Sequence, residues 1–427
     1  MSELLNSTEI NLINTNGFEG VLNESLKSKA FNILETIQFP TTRTEAWKYT
    51  RLGKISNKKF TIRQNEKDIF EDIADFEIAK NTTTLFFING FYDPKLSKGE
   101  IPDGVTFSSI TEHKSNPILK SYIGKNVKIE DEIFNSINTS FATDGAFIHI
   151  SAKTIVENPL QIIHILTGEH TIANLRNVII CEKNSKAHII QGFFSEYSHE
   201  SFSNVISEIF VEENAHLTLD KIQYQGDSCY QIASEQVDQH KNSTFTINTS
   251  TLNGALVRNN LNIEVNGENC YTHLNGMYLL IENQHVDNHT LVDHKKPHCE
   301  SHELYKGVVN DKATAVFNGK VFVRKDAQKI NAFQSNANVL LSDDATINSK
   351  PELEIYADDV KCSHGSTTGQ LDEEAVFYLR ARGLSEKSAR KLMITAFIDD
   401  VIEKTKNEEV KSFIIQILQE RFDWEKE

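Results

Sequence analysis

Short alternations of apolar and polar residues fill the middle of the chain, from about residue 141 to 363. A period of two places alternate side chains on opposite faces of a β-strand, so that one face is buried. No long helical pattern interrupts this stretch, and the chain here is predicted to be mainly β. The runs with this alternation are Phe147–Ile150, Gln161–Ile165, Val178–Ile180, His216–Leu219, Thr244–Ile247 and Ala315–Phe317.

Polar residues suited to tight corners recur through the same stretch. Their separations cluster near roughly 15 residues or twice that value, as expected of a repeated strand and corner. Asn and Asp fit such corners because they tolerate left-handed backbone. The repeat favours a β-solenoid, or β-helix, and leaves a large β-sandwich as the alternative. The corner residues are Asn184, Asn214, Asn242, Asn269, Asn283, Asp311, Asp326, Asp344 and Asp359.

Helical spacing flanks the strands on the N-terminal side. Apolar residues recur at helical intervals over Phe18–Leu26 and Ala30–Ile37, and Pro40 ends this segment because it lacks a backbone donor. A short strand at Thr84–Asn89 follows, with Asn89-Gly90 as a turn signal. We therefore expect an N-terminal helical region over residues 1–80.

Helical spacing returns after residue 370. Three helices are predicted, over Ala375–Arg382, from the cap residue Ser385 through Ile398, and over Glu408–Phe422. Gly383 is a suitable stop between the first two. The expected division is thus a β-helix core over 81–370 and a C-terminal helical domain over 371–427.

Charge and composition narrow the partners. The 427-residue chain carries a formal net charge of −16, and its basic residues are scattered rather than clustered. A nucleic-acid surface requires clustered Lys and Arg, so neither nucleic acid nor an anionic membrane is expected as a partner. No window reaches the roughly 18 apolar residues of a membrane span. The start, Met1–Asn6, lacks the apolar core of an export signal, which predicts a cytoplasmic location.

The thiols agree with a reducing compartment. The 5 cysteines are Cys181, Cys229, Cys270, Cys299 and Cys362, spaced far apart and never as a Cys-x-x-Cys pair. A disulfide framework is therefore not expected.

Catalytic motifs are missing from the sequence. It has neither of the glycine-rich phosphate loops and no Gly-x-Ser-x-Gly nucleophile elbow. The acidic pairs Glu212-Glu213, Asp343-Asp344 and Asp358-Asp359 resemble glycosidase carboxylates, but they coincide with the corners and read better as turn residues. The chain is therefore predicted not to be an enzyme. A carbohydrate-active enzyme built on a β-helix is kept as an alternative.

One stretch is dense in metal-capable side chains. It holds His285, His289, His294, His298, Cys299 and His302. In isolation this tract could bind zinc, although its spacing matches no closed tetrahedral motif. Hydrogen-bonded side chains on neighbouring strands and corners are the preferred interpretation, and a zinc-binding protein is the second alternative.

The stretch from Pro351 to Gly383 is the most informative in the sequence. It includes Cys362-Ser363-His364-Gly365 and leads from the last strands into the C-terminal helices. It closely resembles the corresponding junction of SufD-type members of the SufB/SufD family. Supporting matches are Val292-Asp293-His294 with Ser301 and Tyr305-Lys306-Gly307, and an N-terminal Pro-x-x-Arg-x-Glu-x-Trp-x-Tyr-Thr pattern over Pro40–Thr50.

The resemblance implies a fold and a role. The implied fold has a central right-handed parallel β-helix between N-terminal and C-terminal helical regions. The implied role is a non-catalytic scaffold subunit that pairs with SufB through the β-helix and binds the ATPase SufC through the C-terminal helices. An iron–sulfur cluster would form transiently at the SufB interface, ATP would be used only by SufC, and the isolated chain would hold no cofactor. Alone, the chain is expected to form a homodimer.

Two residues are carried over as candidates. His364 matches the histidine of the family's Cys-Ser-His-Gly motif, where a neutral imidazole could ligate iron beside a partner's thiolate. Cys362 is the weaker candidate; on a strand it would face the same side as His364.

Two positions of this sequence differ from the SufB pattern. SufB has Glu after the histidine, whereas Gly365 stands here. Ser335 occupies the position of a SufB cysteine, and a hydroxyl is a poor sulfur acceptor. The chain is therefore expected to support the chemistry rather than accept sulfur.

Overall fold

The computed structural model describes residues 13–14, 20–64, 76–80, 82–196 and 199–421. Strands dominate this part of the chain, and helices lie at both ends. The strands are β1 Ile13–Asn14, β2 Phe60–Thr61, β3 Thr83–Ile88, β4 Phe91–Lys98, β5 Val105–Ser109, β6 Ala146–Ile150, β7 Leu160–Leu166, β8 Thr171–Cys181, β9 Lys186–Ser195, β10 Ser201–Val211, β11 His216–Tyr224, β12 Cys229–Gln239, β13 Thr244–Asn253, β14 Leu256–Val265, β15 Tyr271–Leu280, β16 His285–His294, β17 Glu300–Val309, β18 Thr314–Val323, β19 Ile330–Leu340, β20 Thr346–Ile355 and β21 Val360–Gln370.

The strands coil into a parallel β-helix of about eight turns. From β8 onward, even-numbered strands stack in one sheet, here called sheet A, and odd-numbered strands from β7 onward stack in a second, sheet B. Each strand pairs in parallel with the strand two positions along the chain, for example Ser201 with Thr171 and with Cys229. The period is therefore about 30 residues per turn, as in other solenoids. The predicted β-helix is confirmed and the β-sandwich alternative is wrong. The two antiparallel pairs, β3 with β4 and β5 with β6, lie at the beginning of the solenoid.

The corners carry the asparagines that the repeat predicted. Asn184, Asn214, Asn242 and Asn269 all have positive φ, between 56° and 60°. Their side chains form a ladder in which each amide donates to the one below, at 3.1, 3.0 and 3.2 Å. Asp311 is also left-handed, but at the preceding corner Glu282 rather than Asn283 takes this conformation.

The solenoid interior combines an apolar core with a belt of buried polar groups. Every second residue of the strands enters it, and Leu219, Ile247 and Leu274 are typical of the core. The polar members form pairs, such as Lys221 with Glu235 at 2.8 Å, with each side chain about 1% exposed. Buried polar groups are stable only when they are bonded, and this pair links sheet B to sheet A within one turn.

Helices cover two flanks of the solenoid. Of those in the described ranges, four precede the main strands and have at most 11 residues, and three follow β21, of which α6 and α7 have 17 and 14 residues. N-caps begin several of them: Asn23 accepts from Leu26 N at 3.0 Å, and the side chains of Asp372 and Ser385 accept from the first turns of their helices. The helices are α1 Glu24–Leu34, α2 Gly53–Ser56, α3 Pro117–Tyr122, α4 Ile133–Phe141, α5 Glu373–Ala381, α6 Glu386–Ile402 and α7 Glu408–Arg421.

The sequence predicted the C-terminal helices well. All three are present, and Gly383 with φ +98° separates α5 from α6. Phe422, predicted as the end of the third helix, lies outside the described residues, as do Phe18 and Glu19 of the N-terminal segment. The apolar faces of α6 and α7 pack on the outer face of sheet B, where Ile398 and Ile414 join Leu279 and Val308 in one cluster. They therefore lie beside the solenoid and leave its last turn uncovered. Within the described ranges, no helix has both the length and the apolar character needed to cross a membrane.

Candidate functional site at the open end of the solenoid

The last turn of the solenoid is open on one side. Of the strands the structure describes, β20 pairs only with β18, and β21 pairs only with β19. Nearly all residues of β21 are exposed, and a Cβ added at Gly365 or Gly369 would meet nothing within 4 Å. Unpaired backbone groups on such an edge are a template for another strand. We call β20 and β21 together the open end.

His364 and Cys362 both lie on β21 and share its inner face. Cys362 pairs with Ala332 and packs partly against the core, and His364 pairs with Gln334. Alternation along the strand therefore places both candidates on the side that continues the solenoid interior. His364 is exposed and Cys362 is half-buried. Burial raises the pKa of the Cys362 thiol, so the thiolate is not favoured there in the isolated chain.

Buried polar groups lie directly behind His364. Gln334, 3% exposed, is its neighbour in the same inner-face column, and Glu303, 5% exposed, is the next residue inward. Gln334 Nε2 donates to Glu303 Oε2 at 2.6 Å, and Thr290 Oγ1 donates to Glu303 Oε1 at 2.6 Å. Desolvation raises the pKa of Glu303 to about 7, against the opposing effect of these two hydrogen bonds. Sequence reasoning missed both residues, although Glu303 alternates with the inward-facing Ser301 and Tyr305.

A groove of about 740 Å³ borders the same end on the outer face of sheet B. The rings of His273, His302 and Phe333 stack along successive turns, at centroid distances of 5.6 and 5.4 Å. Lys404 and Lys406 line the groove from the helical side. Burial lowers the pKa of His273, and the positive charges of His302 and of these two lysines add to the effect.

Ser335 faces away from the interior. It pairs with Gly365 on the outer face, one position along from the Gln334–His364 pair. The hydroxyl is exposed and lines the groove. The structure therefore does not place Ser335 on the same face as His364.

The metal-capable tract is dispersed by the fold. His285 bonds Thr50 Oγ1 at 2.8 Å, and His289 contacts Asp287 Oδ1 at 2.9 Å. His294 is buried and bonds Ser301 Oγ at 2.9 Å. The remaining members also separate: His298 is a left-handed corner residue, Cys299 is buried, and His302 stacks in the groove. The preferred interpretation, polar side chains with structural partners, fits these contacts.

A different group meets the geometric requirement for a metal site. Within the described ranges, Glu169, His170 and Glu200 are the one set of three such side chains whose ligand atoms lie within 4.8 Å of one another. Lys58 Nζ already pairs with Glu200, and Tyr230 donates to the same oxygen at 3.1 Å. The carboxylate is thus already neutralised.

The acidic pairs singled out in the sequence lie in turns, where Glu213 pairs with Lys183 at 3.0 Å.

Two cysteines that are distant in sequence become neighbours. Cys270 and Cys299 occupy the same corner position on successive turns, and both are free and buried. The thiols share a hydrogen bond, which lowers the pKa of Cys270 and raises that of Cys299. One turn of the solenoid brings them together, which their spacing did not indicate.

The N-terminal motif clamps the outer face of sheet A. Trp47 lies against Arg258, with the guanidinium carbon 3.8 Å from the ring centroid. Arg258 donates to Asp287 at 2.6 Å, and Thr50 donates to the same carboxylate at 2.5 Å. Although burial acts to raise it, the Arg258 and His289 charges hold the pKa of Asp287 well below its usual range. The motif therefore has a structural role here.

The motif around Tyr305 joins the solenoid to the helices. Lys306 Nζ bonds Asp400 at 2.8 Å and the Phe397 carbonyl at 2.7 Å. Gly307 lies so close to the Tyr278 ring that a Cβ would be only 2.0 Å from it.

Four large apolar side chains are exposed on α5, on α6 and in the link between them. We call these residues the apolar patch: Phe377, Tyr378, Leu384 and Leu392, which are 70%, 56%, 37% and 48% exposed. Large apolar side chains that are exposed near one another along the chain are candidates for an interaction site.

The fold places this chain in the class of parallel β-helix proteins with an open end. Comparison with known proteins then identifies its family. Residues 164–397 match the SufBD core domain of the SUF system for FeS cluster assembly, and residues 5–162 match the SufBD protein N-terminal region. The chain belongs to the SufBD family of iron–sulfur cluster assembly proteins.

Named relatives cover almost the whole chain. An iron–sulfur cluster assembly SufBD family protein of Synechocystis is 31% identical over 403 residues, which cover 91% of this chain and 88% of the relative. The iron–sulfur cluster assembly protein SufD of Escherichia coli is 30% identical over 386 residues, covering 90% and 89%. A SufBD family protein of Mycobacterium leprae is 26% identical over 407 residues, covering 93% and 94%.

Proposed function

We propose that this chain is a non-catalytic scaffold subunit that pairs with a SufB-type subunit through the open end. The observation that carries the proposal is the exposed, unpaired outer edge of strand β21 with His364 on its inner face, in a member of the SufBD family. A partner that adds a strand to this edge would satisfy its backbone groups and cover His364. The iron–sulfur cluster is the cargo built at that junction.

His364 is the proposed cluster ligand from this chain. A neutral imidazole can share iron with thiolates from a partner, as mixed Cys/His sites do. Cys362 lies two residues away on the same inner face and is the weaker candidate, because its raised pKa disfavours the thiolate. The isolated chain offers one exposed imidazole here, so stable cluster binding requires the partner's ligands.

The exposed apolar patch is the proposed docking site for a SufC-type ATPase. Phe377 and Tyr378 on α5 offer large rings of the kind that dominate binding energy at interfaces. ATP chemistry then belongs to that partner, consistent with the missing phosphate loops in this sequence.

Without a SufB-type partner, two open ends are proposed to pair with each other. The same unpaired edges then form a homodimer. Light scattering should give twice the 48.4 kDa of one chain, and a mass of one chain at micromolar concentration would contradict this. A cytoplasmic setting is proposed because all 5 cysteines are free thiols.

Co-expression with SufB-type and SufC-type subunits from the same source tests the proposal. A tagged chain should retain both partners through gel filtration. Removing residues 371–427 is a poor test, because α6 and α7 cover the apolar outer face of sheet B. Phe377→Asp is a better test of SufC-type binding, because this side chain is 70% exposed and its replacement uncovers no apolar face of the solenoid. Failure to recover the SufB-type subunit with the unmodified chain would refute the scaffold role.

A further inference from the structure

One buried acceptor behind the candidate ligand has no partner. Gln334 is 3% exposed, and its Oε1 makes no hydrogen bond within the part of the chain that the structure describes. Its Nε2, in contrast, donates to Glu303 at 2.6 Å. A buried carbonyl oxygen without a donor is costly, so a native protein tends to supply that donor from water or from an incoming group.

The register identifies the side chain that can supply the donor. Gln334 lies between Glu303 on β17 and His364 on β21, and all three share one inner-face column. The Glu303 carboxylate accepts from Thr290 and from the Gln334 amide nitrogen, which fixes the orientation of the amide. The Oε1 is then the atom left for the next residue in the column, which is His364.

We propose that Gln334 is a positioning residue for His364. When a partner covers the open end, an imidazole N–H of His364 donates to Gln334 Oε1, and Glu303 with Thr290 holds the amide in place. The other ring nitrogen is left deprotonated and directed at the cluster. This inference rests on the proposed function of His364 as a ligand. Outer hydrogen bonds of this kind set the tautomer and ring orientation of histidine ligands in general.

The direction of donation is consistent along the whole chain of groups. Thr290 O–H and Gln334 N–H both donate to Glu303, which as a carboxylate is an acceptor only. His364 carries a donor on one ring nitrogen when neutral, which matches the free amide oxygen. The neighbouring column supplies no competing donor to Gln334 Oε1, since that atom has no partner among the described residues.

The test uses the full chain in its purified complex with the SufB-type and SufC-type subunits. Gln334→Met removes the acceptor at similar size, and Gln416→Met makes the same chemical change at an exposed position of α7, away from the open end, as a control. We expect Gln334→Met to lower both the cluster yield and its retention against a chelator by roughly 10-fold, with the complex still assembled. Gln416→Met should match the unmodified chain.

A swapped pair separates positioning from packing. In the double variant Glu303→Gln with Gln334→Glu, the new carboxylate accepts from both the new amide and His364, so the cluster yield and retention should recover. Glu303→Gln alone keeps an acceptor for the Gln334 amide but adds a donor, so that the amide can bond in either orientation, and it should give an intermediate loss. If Gln334→Met does not fold, the single variant Glu303→Gln takes its place in the comparison.

The outcomes distinguish this inference from the proposed function. Wild-type cluster yield and retention in Gln334→Met, or a swapped pair that remains as poor as Gln334→Met, would overturn the positioning role. Wild-type cluster yield in His364→Ala would instead refute the proposed role of His364 as a cluster ligand. In a His364→Ala background, Gln334→Met should cause no additional loss.

Discussion

Glu303 gives the fold a pH dependence whose sign and size follow from its environment. Burial raises the pKa of this carboxyl from 4.5 to about 7 in the folded chain. The folded state therefore binds a proton more tightly than the unfolded state, and stability falls as pH rises from about 4.5 towards 7. Full ionisation costs the folded state about 3 kcal/mol, since one pKa unit corresponds to about 1.4 kcal/mol.

The perturbation is Glu303→Gln, which removes the charge and keeps the shape. The new amide can still accept from Gln334 and donate to the Thr290 hydroxyl, so both hydrogen bonds can be re-formed. Between pH 6 and 8.5 the free energy of unfolding of the variant, relative to wild type, should rise by about 1.4 kcal/mol. Subtracting wild type from variant removes the contributions of the histidines, which titrate in both proteins.

Chemical denaturation at several pH values measures this difference. The gain should be steepest below pH 7 and should level off above it, because Glu303 is then ionised in both folded and unfolded states. A difference that stays constant between pH 6 and 8.5 would refute the reasoning. It would mean that Glu303 has an ordinary pKa in the folded protein and that the interior beside the open end is wet.

Two further predictions concern the docking patch and the corner ladder. Phe377→Asp should weaken binding of a SufC-type subunit by roughly 30-fold, which corresponds to the loss of about 2 kcal/mol at a hot spot. Ile415→Asp, at an exposed position of α7, should leave this binding unchanged. Equal binding of the two variants in a calorimetric titration would contradict the patch assignment. Asn242→Ala should lower the free energy of unfolding by about 2 kcal/mol, because Ala disfavours the left-handed backbone and two ladder hydrogen bonds are lost. Asn242→Gly should lower it by less, because Gly tolerates positive φ. Equal losses for the two variants in denaturant melts would show that the backbone conformation contributes nothing.

Sequence periodicity favoured the correct architecture over a β-sandwich because the solenoid is built from local signals. Alternation in Thr244–Ile247 and similar runs indicates strands, and Asn214 or Asn242 marks a corner through its own backbone preference. Corners at Glu282 and Lys329 were not predictable, since these residue types have no such preference and are held left-handed by their neighbouring turns.

The environment of the candidate site was beyond the sequence for a different reason. His364 and Cys362 could be named from their motif, and their common face follows from strand alternation. Which residues stand behind them depends on the register between turns, and a shift of one residue would exchange Glu303 and Gln334 for outer-face residues. The dispersal of the histidine tract and the approach of Cys270 to Cys299 follow from the same register.

The central claim is that His364 at the open end serves cluster assembly and does not hold the fold together. The most direct measurement is the iron and acid-labile sulfide content of the purified three-subunit complex carrying His364→Ala, after anaerobic reconstitution. His216→Ala, which removes another exposed strand histidine, is the matched control. We expect His364→Ala to keep the complex and its thermal stability but to lose most of its cluster, with His216→Ala unchanged. Wild-type cluster content in His364→Ala would contradict the account.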